Sequence, residues 1–232
     1  MIKGVILDFD DFTVMTEEPC FALENDVLQR MGREPMTREL HIATWGRPLF
    51  EAIMDRSPGV DVDEFRAIYE PLAQEYTADG RLDKISPENL AAIDELRGLG
   101  KGVLILTSRE GGELPHLLVP DHPLTQRLDG GVAGYYYKDN MKYHKPDPRA
   151  FEHIEEIHGW KPEECVYAGD SVGDAQAAKG AGLHFVAGLE SGLRRREDFD
   201  AWPVDVFIDR FAEIVDAVKQ IESNLTTRGR VE

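Results

Sequence analysis

Short runs of consecutive apolar residues recur along the chain, and several of them end directly at a polar residue or a glycine. Unbroken apolar runs of this length are typical of strands that are buried on both faces of a parallel sheet. Three runs and the residues that close them are Val5–Leu7 with Asp8, Val103–Leu106 with Thr107, and Cys165–Ala168 with Gly169 and Asp170. Two further strands are predicted at Leu183–Val186 and Val204–Ile208, the second near an edge of the sheet.

Segments with helical spacing lie between these runs. After Ser86 and Pro87, which suit a helix N-cap and the first helical position, apolar side chains recur at Leu90, Ile93 and Leu96. Two more segments of this kind are Pro148–Ile157 and Phe211–Ile221. The alternation of strands and helices predicts an α/β fold with a Rossmann-like, doubly wound parallel sheet, whose ligands bind beyond the carboxyl ends of the strands.

The segment from Met15 to Leu82 differs, because it has helical periodicity and no pattern of a buried strand. It predicts a small α-helical domain inserted into the α/β chain. We therefore expect a core of residues 1–14 and 83–232 and a helical cap of residues 15–82 over the site. The polar residues 223–232 predict a frayed C-terminal tail.

Composition narrows the range of functions. The 232 residues carry a formal net charge of −18, which disfavours nucleic acid and anionic membrane surfaces because both need a basic face. No apolar run approaches the roughly 18 residues of a membrane span, and the first residues lack the apolar stretch of a signal peptide, so a cytoplasmic protein is expected. An acidic protein that handles an anionic substrate needs local positive charge, from a metal ion or from selected Lys and Arg side chains.

Four short motifs follow in order along the chain. They are Asp8-Phe9-Asp10, Thr107, Lys145 in His144-Lys145-Pro146-Asp147-Pro148, and Gly169-Asp170-Ser171-Val172-Gly173-Asp174. Their order and spacing resemble the four motifs of the haloacid dehalogenase-like hydrolases, over nearly the whole chain. The helical insert lies where one branch of that family, which includes phosphoglycolate phosphatase-like enzymes and β-phosphoglucomutase, keeps its cap. The resemblance implies a magnesium-dependent phosphohydrolase.

The chemistry of the first motif agrees with this resemblance. Asp8 at a strand end is a carboxylate nucleophile that could form an aspartyl-phosphate, which splits one difficult displacement into two easier ones. Asp10 is placed to protonate the leaving oxygen and later to accept a proton from the attacking water. Two carboxylates would repel a phosphate dianion, and Mg²⁺ held by Asp8, the Asp10 carbonyl and Asp170 would offset that repulsion.

The other motifs supply groups that bind the phosphoryl oxygens. Thr107 can donate a hydrogen bond to one of them, although Ser108 could serve instead, and Lys145 can neutralise their charge, with Lys142 as a neighbouring competitor. Asp174 lies one helical turn after the metal-ligand candidate of its motif, and it could orient the lysine or join the metal site. It could also be a helix-start residue that interacts with the helix dipole.

Two positions depart from the family pattern, and one cap residue adds a specificity candidate. Asp11 and Phe12 stand where the family usually has glycine and then threonine or valine, which puts catalytic efficiency in doubt more than the fold. Asp tolerates left-handed backbone better than most residues. In Thr44–Pro48, Arg47 resembles the cap arginine that contacts the substrate in this branch; the alternative is a solvated arginine beside a buried Trp45.

These features favour a phosphomonoesterase that acts on a small phosphorylated metabolite, as a monomer or a homodimer. A phosphomutase of the β-phosphoglucomutase type would use the same two aspartates, so it remains an alternative. A third possibility is a non-catalytic binding or regulatory protein with a degenerate site, suggested by the two departures in the first motif. Dehalogenation is disfavoured, because that chemistry in the family lacks an equivalent of Asp10.

Overall fold

A computed structural model describes residues 1–228 of the chain. The chain divides into two compact units, which are described separately. One unit combines Met1–Thr13 with the chain from Ile85 onward, and the other is Val14–Lys84.

The first unit is built on a parallel sheet with six strands among the described residues. The strands are β1 Gly4–Leu7, β2 Gly102–Leu106, β3 Tyr135–Tyr136, β4 Cys165–Gly169, β5 His184–Gly188 and β6 Val206–Ile208. Their spatial order is β3-β2-β1-β4-β5-β6. β1, β2 and β4 are buried along their whole length, which explains their unbroken apolar sequences. The predicted α/β fold and the edge position of the last strand are confirmed.

Helices follow the strands of this unit. They are α5 Pro87–Gly98, α6 Glu152–His158, α7 Val172–Ala181 and α8 Ile214–Arg228 (α1 to α4 belong to the insert). Ser86 caps α5 as predicted, because its side chain accepts a hydrogen bond from the Asn89 amide at 3.0 Å. Ser171 caps α7 in the same way, through the Asp174 amide at 3.1 Å, so a cap fixes where the helix beside β4 begins.

Two predictions about this unit need correction, and one strand was missed. β3 was not predicted, because a two-residue strand is too short to show a periodicity. The helix predicted from Pro148 begins as a 3-10 turn, Pro148–Phe151, and becomes α-helical at Glu152. The predicted frayed tail from Ser223 continues α8 to Arg228, while residues 229–232 lie outside the described residues.

The second unit is helical throughout its regular structure. Its helices are α1 Glu17–Arg30, α2 Arg38–Thr44, α3 Leu49–Arg56 and α4 Val62–Ala78. They enclose a hydrophobic core of their own that includes Leu23, Val27, Ile53, Phe65 and Leu72. Because the insert buries its own apolar residues, its helical pattern is explained within residues 14–84. Its role as a cap stays a prediction.

Candidate active site

The order of the strands places two of the predicted aspartates side by side. The sheet grows outward from β1 in both directions, and ligands of doubly wound folds bind at such a switch point. Leu7 of β1 pairs with Ala168 of β4, and the Asp8 amide extends this pairing by donating to the Ala168 carbonyl at 2.8 Å. Asp8 and Asp170 therefore occupy the carboxyl ends of adjacent strands, and both side chains are buried.

Lys145 joins two of the site carboxylates. Its Nζ lies 2.9 Å from Asp8 Oδ1 and 2.7 Å from Asp174 Oδ1. Lys142, the sequence competitor, is exposed, and its Nζ lies 4.8 Å from the centre of the Tyr143 ring. The geometry therefore brings Lys145, and not its neighbour, into the cluster.

The Asp174 carboxylate accepts four hydrogen bonds. Its Oδ1 accepts from the Tyr167 hydroxyl at 3.0 Å as well as from the lysine, and its Oδ2 accepts from the Ser171 amide at 2.9 Å and hydroxyl at 2.6 Å. A carboxylate oxygen has about two lone pairs, so these four bonds occupy both oxygens. The same carboxylate therefore caps the start of α7 and binds Lys145, so the two interpretations of Asp174 are compatible.

The burial of this cluster perturbs the pKa values of its members. Burial raises the pKa of Asp8 well above its ordinary value and Asp174 raises it further, although Lys145 acts in the opposite direction. Burial likewise raises the pKa of Asp170, with the charges of Asp174 and Asp11 adding to the effect. For Asp174, the cost of burial is outweighed by its bonds to Lys145 and Ser171, and its pKa is lowered.

Three carboxylates of the cluster fit a hard divalent cation. One oxygen from each of Asp8, Asp170 and Asp174 can be chosen so that all three lie within 4.8 Å of one another. Oxygen donors of this kind are what Mg²⁺ prefers. Burial and mutual repulsion raise the pKa of Asp8 and Asp170, and a cation would offset the repulsion. Because the lone pairs of Asp174 are already used, Asp8 and Asp170 are the better ligand candidates.

Thr107 lies at the carboxyl end of β2, the strand on the other side of β1. It is 3% exposed, and its Oγ accepts a hydrogen bond from the Arg109 amide at 3.2 Å. Ser108 is exposed. The burial therefore favours Thr107 over Ser108 as the hydroxyl of this motif.

Asp10 has a partner that the sequence did not suggest. Arg109 Nε lies 3.0 Å from both carboxylate oxygens of Asp10, and Arg109 Nη2 lies 2.6 Å from Oδ1. The guanidinium carbon also lies 4.9 Å from the centre of the buried Phe9 ring. Tyr167 was missed as well, although a tyrosine inside a buried strand needs a partner for its hydroxyl, and that was an available signal.

A family model described as haloacid dehalogenase-like hydrolase matches residues 5–188. The chain belongs to the haloacid dehalogenase-like hydrolases. The matched segment contains every motif residue that carries the resemblance.

Named relatives agree with this family, and a solved structure agrees with the fold. A phosphoglycolate phosphatase from Photobacterium profundum is 29% identical, over 94% of this chain and 96% of that protein. Another from Rhodobacter capsulatus is 27% identical, over 88% of this chain and 90% of that protein. A solved structure of a candidate beta-phosphoglucomutase from Thermotoga maritima has a TM-score of 0.74 at 22% identity, covering 94% of this chain and 99% of that one, which supports the fold. The predicted family and the predicted phosphatase-type hydrolase are confirmed.

The two departures from the family pattern are both accommodated. Asp11 has a φ of +52°, so the position does adopt the left-handed backbone for which the family uses glycine. The Phe12 ring packs edge-on against Phe211, with centroids 5.3 Å apart. A Cβ at Gly188 would lie 2.6 Å from the Phe12 ring, so the missing side chain at Gly188 makes room for the phenylalanine. These positions therefore give no structural reason to regard the site of this haloacid dehalogenase-like hydrolase as degenerate.

Arg47 lies in the insert, in the turn after α2. Its Nη1 lies 2.7 Å from Asp55 Oδ2, and both side chains are about half exposed. Trp45 is half-buried and packs at 5.0 Å from the His41 ring. A contact between Arg47 and a substrate stays a prediction. Within residues 1–228, no helix has the length and apolar character needed to cross a membrane.

Proposed function

We propose that this hydrolase removes the phosphoryl group from a small phosphate monoester, with Asp8 as the nucleophile and Asp10 as the acid and base. The observation that carries the proposal is the buried cluster at the ends of β1 and β4. There, Lys145 bonds to Asp8 and Asp174, and a third carboxylate, Asp170, adjoins them. A buried group of perturbed acids beside one lysine is the arrangement expected of a site that handles an anion with a cation.

The first step transfers the phosphoryl group to Asp8. Lys145 and the Phe9 amide both bind Oδ1 of Asp8, at 2.9 and 2.8 Å, so Oδ2 is the oxygen that attacks phosphorus. The bond from phosphorus to the leaving oxygen breaks, and that oxygen takes the proton of the Asp10 carboxyl group. Lys145 and Thr107 stabilise the charge on the phosphoryl oxygens during the transfer.

The second step releases phosphate. The Asp10 carboxylate takes a proton from water, the water oxygen attacks phosphorus, and the bond from phosphorus to Oδ2 of Asp8 breaks. Asp8 returns as a carboxylate and Asp10 as an acid. A magnesium ion held by Asp8, Asp170 and the carbonyl of Asp10 would supply positive charge against the phosphate oxygens. Asp174 keeps Lys145 in place during both steps.

The substrate class follows from the named relatives and from the insert. The relatives are phosphoglycolate phosphatases, so the proposed substrate is a small metabolite with both a phosphate and a carboxylate. A cap that contains Arg47 would provide a guanidinium for the carboxylate, because the planar fork of arginine matches that group. We expect the enzyme to work in the cytoplasm on a diffusing metabolite.

Phosphate release from a panel of phosphorylated metabolites, with and without Mg²⁺, tests this function. We expect turnover of carboxylate-bearing monoesters such as 2-phosphoglycolate in Mg²⁺. Calcium should inhibit, because it accepts more ligands at longer distances than Mg²⁺ does and would let Asp8 bind it through both oxygens. Full activity in excess chelator, or no release from any monoester in Mg²⁺, contradicts the proposal.

A further inference from the structure

Arg109 contacts Asp10 but has no role in the proposed reaction. Asp10 must deliver a proton in the first step and remove one in the second, so the direction in which its carboxyl group points decides both rates. Arg109 contacts this group through three nitrogen–oxygen distances of 2.6 to 3.0 Å. The pair is only partly exposed, with 13% exposure for the arginine side chain and 32% for the aspartate.

The hydrogen bonds are distributed unequally between the two oxygens of Asp10. Oδ1 accepts from both Nε and Nη2 of Arg109, and Oδ2 accepts from Nε. Since each carboxylate oxygen has about two lone pairs, this contact fills Oδ1 and leaves capacity on Oδ2. The arginine therefore distinguishes the two oxygens, and Oδ2 is the one that can carry the transferred proton.

Arg109 is itself held in place. Its amide donates to Thr107 Oγ at 3.2 Å, and its carbonyl accepts from the Lys138 amide at 3.0 Å. Its guanidinium lies over Phe9, which is fully buried. An anchored backbone together with a guanidinium held between Phe9 and Asp10 is more restricted than an exposed ion pair, which typically contributes little.

We propose that Arg109 is a positioning residue for proton transfer, which holds Oδ1 of Asp10 and presents Oδ2 to the leaving oxygen and then to the attacking water. The inference rests on the proposed function, because it assigns Arg109 a role through Asp10. A misplacement of about 1 Å can cost about 100-fold in rate, so loss of the contact should be visible in kinetics.

Substituted phenyl phosphates with graded leaving groups provide the test. These substrates share the phenyl phosphate framework and have no second anionic group, so a change in leaving group mainly alters the need for a proton. In kcat/KM, which reports the first phosphoryl transfer, Arg109→Gln should lose about 10- to 100-fold with phenyl phosphate and less than about twofold with 2,4-dinitrophenyl phosphate. Asp10→Asn should show the same trend with a larger loss.

A second readout separates the two steps. With 2,4-dinitrophenyl phosphate, whose leaving group needs no proton, we expect hydrolysis of the aspartyl-phosphate to limit kcat, and that step uses Asp10 as a base. The kcat of Arg109→Gln should therefore fall although its kcat/KM does not. Arg109→Lys, which keeps the charge but loses the planar fork, should show a smaller loss with the same dependence on leaving group.

Arg149 is the matched control. Like Arg109, it binds an aspartate and packs against an aromatic ring. Its Nε lies 3.0 and 3.1 Å from the two carboxylate oxygens of Asp147, and its guanidinium carbon lies 3.9 Å from the centre of the Tyr143 ring. The Arg149 side chain is 53% exposed and neither residue has a role in the proposed reaction, so Arg149→Gln should leave every rate unchanged while thermal unfolding reports the stability of both variants.

Each outcome decides the inference. A loss in Arg109→Gln that is equal across the series would overturn it, because the arginine would then act on the phosphoryl group. No loss with any substrate would also overturn it and reduce the contact to a structural ion pair. If the wild-type protein hydrolyses the series and Asp10→Asn depends on the leaving group, either result counts against Arg109 alone. If the wild-type protein releases no phosphate, the proposed function fails and this inference fails with it.

Discussion

Each unit of the molecule buries a cluster of charged side chains, and the two clusters differ in their balance of charge. In the insert, His41 lies between two glutamates, with Nδ1 2.7 Å from Glu17 and Nε2 3.2 Å from Glu24. Each glutamate also has an arginine partner, Arg38 for Glu17 and Arg56 for Glu24. In the α/β unit, three buried carboxylates lie together, and Lys145 bonds to two of them, Asp8 and Asp174.

This difference in charge balance distinguishes a cluster that stabilises the fold from one that is a candidate for catalysis. The insert pairs Glu17 and Glu24 each with an arginine, so paired charges join helices α1, α2 and α3. The other cluster has an excess of buried negative charge, and burial together with that charge raises the pKa of Asp8 and of Asp170. An excess of buried negative charge is unfavourable unless a bound ligand compensates it. The balance of charge in a buried cluster is therefore an indication of function.

The largest expected effect belongs to Asp8, the proposed nucleophile. Asp8→Asn should lower kcat by about 10⁴- to 10⁶-fold, as removal of a nucleophile does elsewhere. Because burial and Asp174 already disfavour the charge on Asp8, the same change should leave the thermal unfolding temperature equal to or above that of the wild type. Steady-state kinetics and calorimetry on one preparation check both parts, and a folded Asp8→Asn with wild-type turnover would remove the assignment.

The insert should respond in the opposite way, in stability rather than in chemistry. Arg56→Met leaves Glu24 buried without its main cation, and a buried pair broken on one side costs about 3–5 kcal/mol. Denaturant unfolding measures this cost. The double variant Arg56→Met/Glu24→Leu is the control and should recover most of it, because no buried charge is left unpaired. A single-variant cost below about 1 kcal/mol would show that the paired cluster is not structural.

Magnesium should stabilise the protein through the unbalanced cluster. A ligand at 100 times its Kd stabilises by about 2.7 kcal/mol, so Mg²⁺ should raise the unfolding temperature by several degrees. Asp170→Asn should abolish the rise, whereas Asp94→Asn should keep it, because Asp94 is an exposed partner of Arg127. An equal rise in both variants would place the cation elsewhere.

The smallest expected effect concerns Arg47. Loss of a hydrogen bond to a charged group costs about 1.5–3 kcal/mol, so Arg47→Ala should lower kcat/KM about 10- to 150-fold with a carboxylate-bearing substrate. It should have little effect with phenyl phosphate, which has no such group. Arg66→Ala is the control, since Arg66 is an exposed insert arginine packed at 3.6 Å from the centre of the Phe50 ring. An equal loss with both substrates would mean that Arg47 supports the fold of the insert.

The sequence predicted those parts of the fold and site that depend on strand ends. Buried parallel strands have unbroken apolar sequences, so β1, β2 and β4 could be found, and their shared edge brings together Asp8, Thr107 and Asp170. The remaining contacts depend on geometry outside the strands. Arg109 follows Thr107 in a loop, and nothing in its spacing indicates that it turns back to Asp10.

The buried cluster of the insert was also invisible to sequence reasoning. Its members are far apart along the chain, so their pairing needs the packing of three helices. His41 gave no usable signal for this reason, because its neighbours in sequence are not its neighbours in space. Tyr167 could have been found from the sequence, because its hydroxyl lies in a strand that is buried along its whole length and needs a partner. The continuous apolar run around it drew attention away from this residue.

The most direct test of the account is to find the phosphoryl group on the protein. Asp10→Asn should be mixed with 2,4-dinitrophenyl phosphate in Mg²⁺, quenched in acid and digested, and the phosphorylated peptide sequenced by mass spectrometry. We predict a phosphoryl group on Asp8, absent when Mg²⁺ is chelated and absent from Asp8→Asn/Asp10→Asn. Release of dinitrophenol in Mg²⁺ with phosphate on another residue, or with no phosphorylated residue at all, would contradict the assignment of Asp8 as the nucleophile.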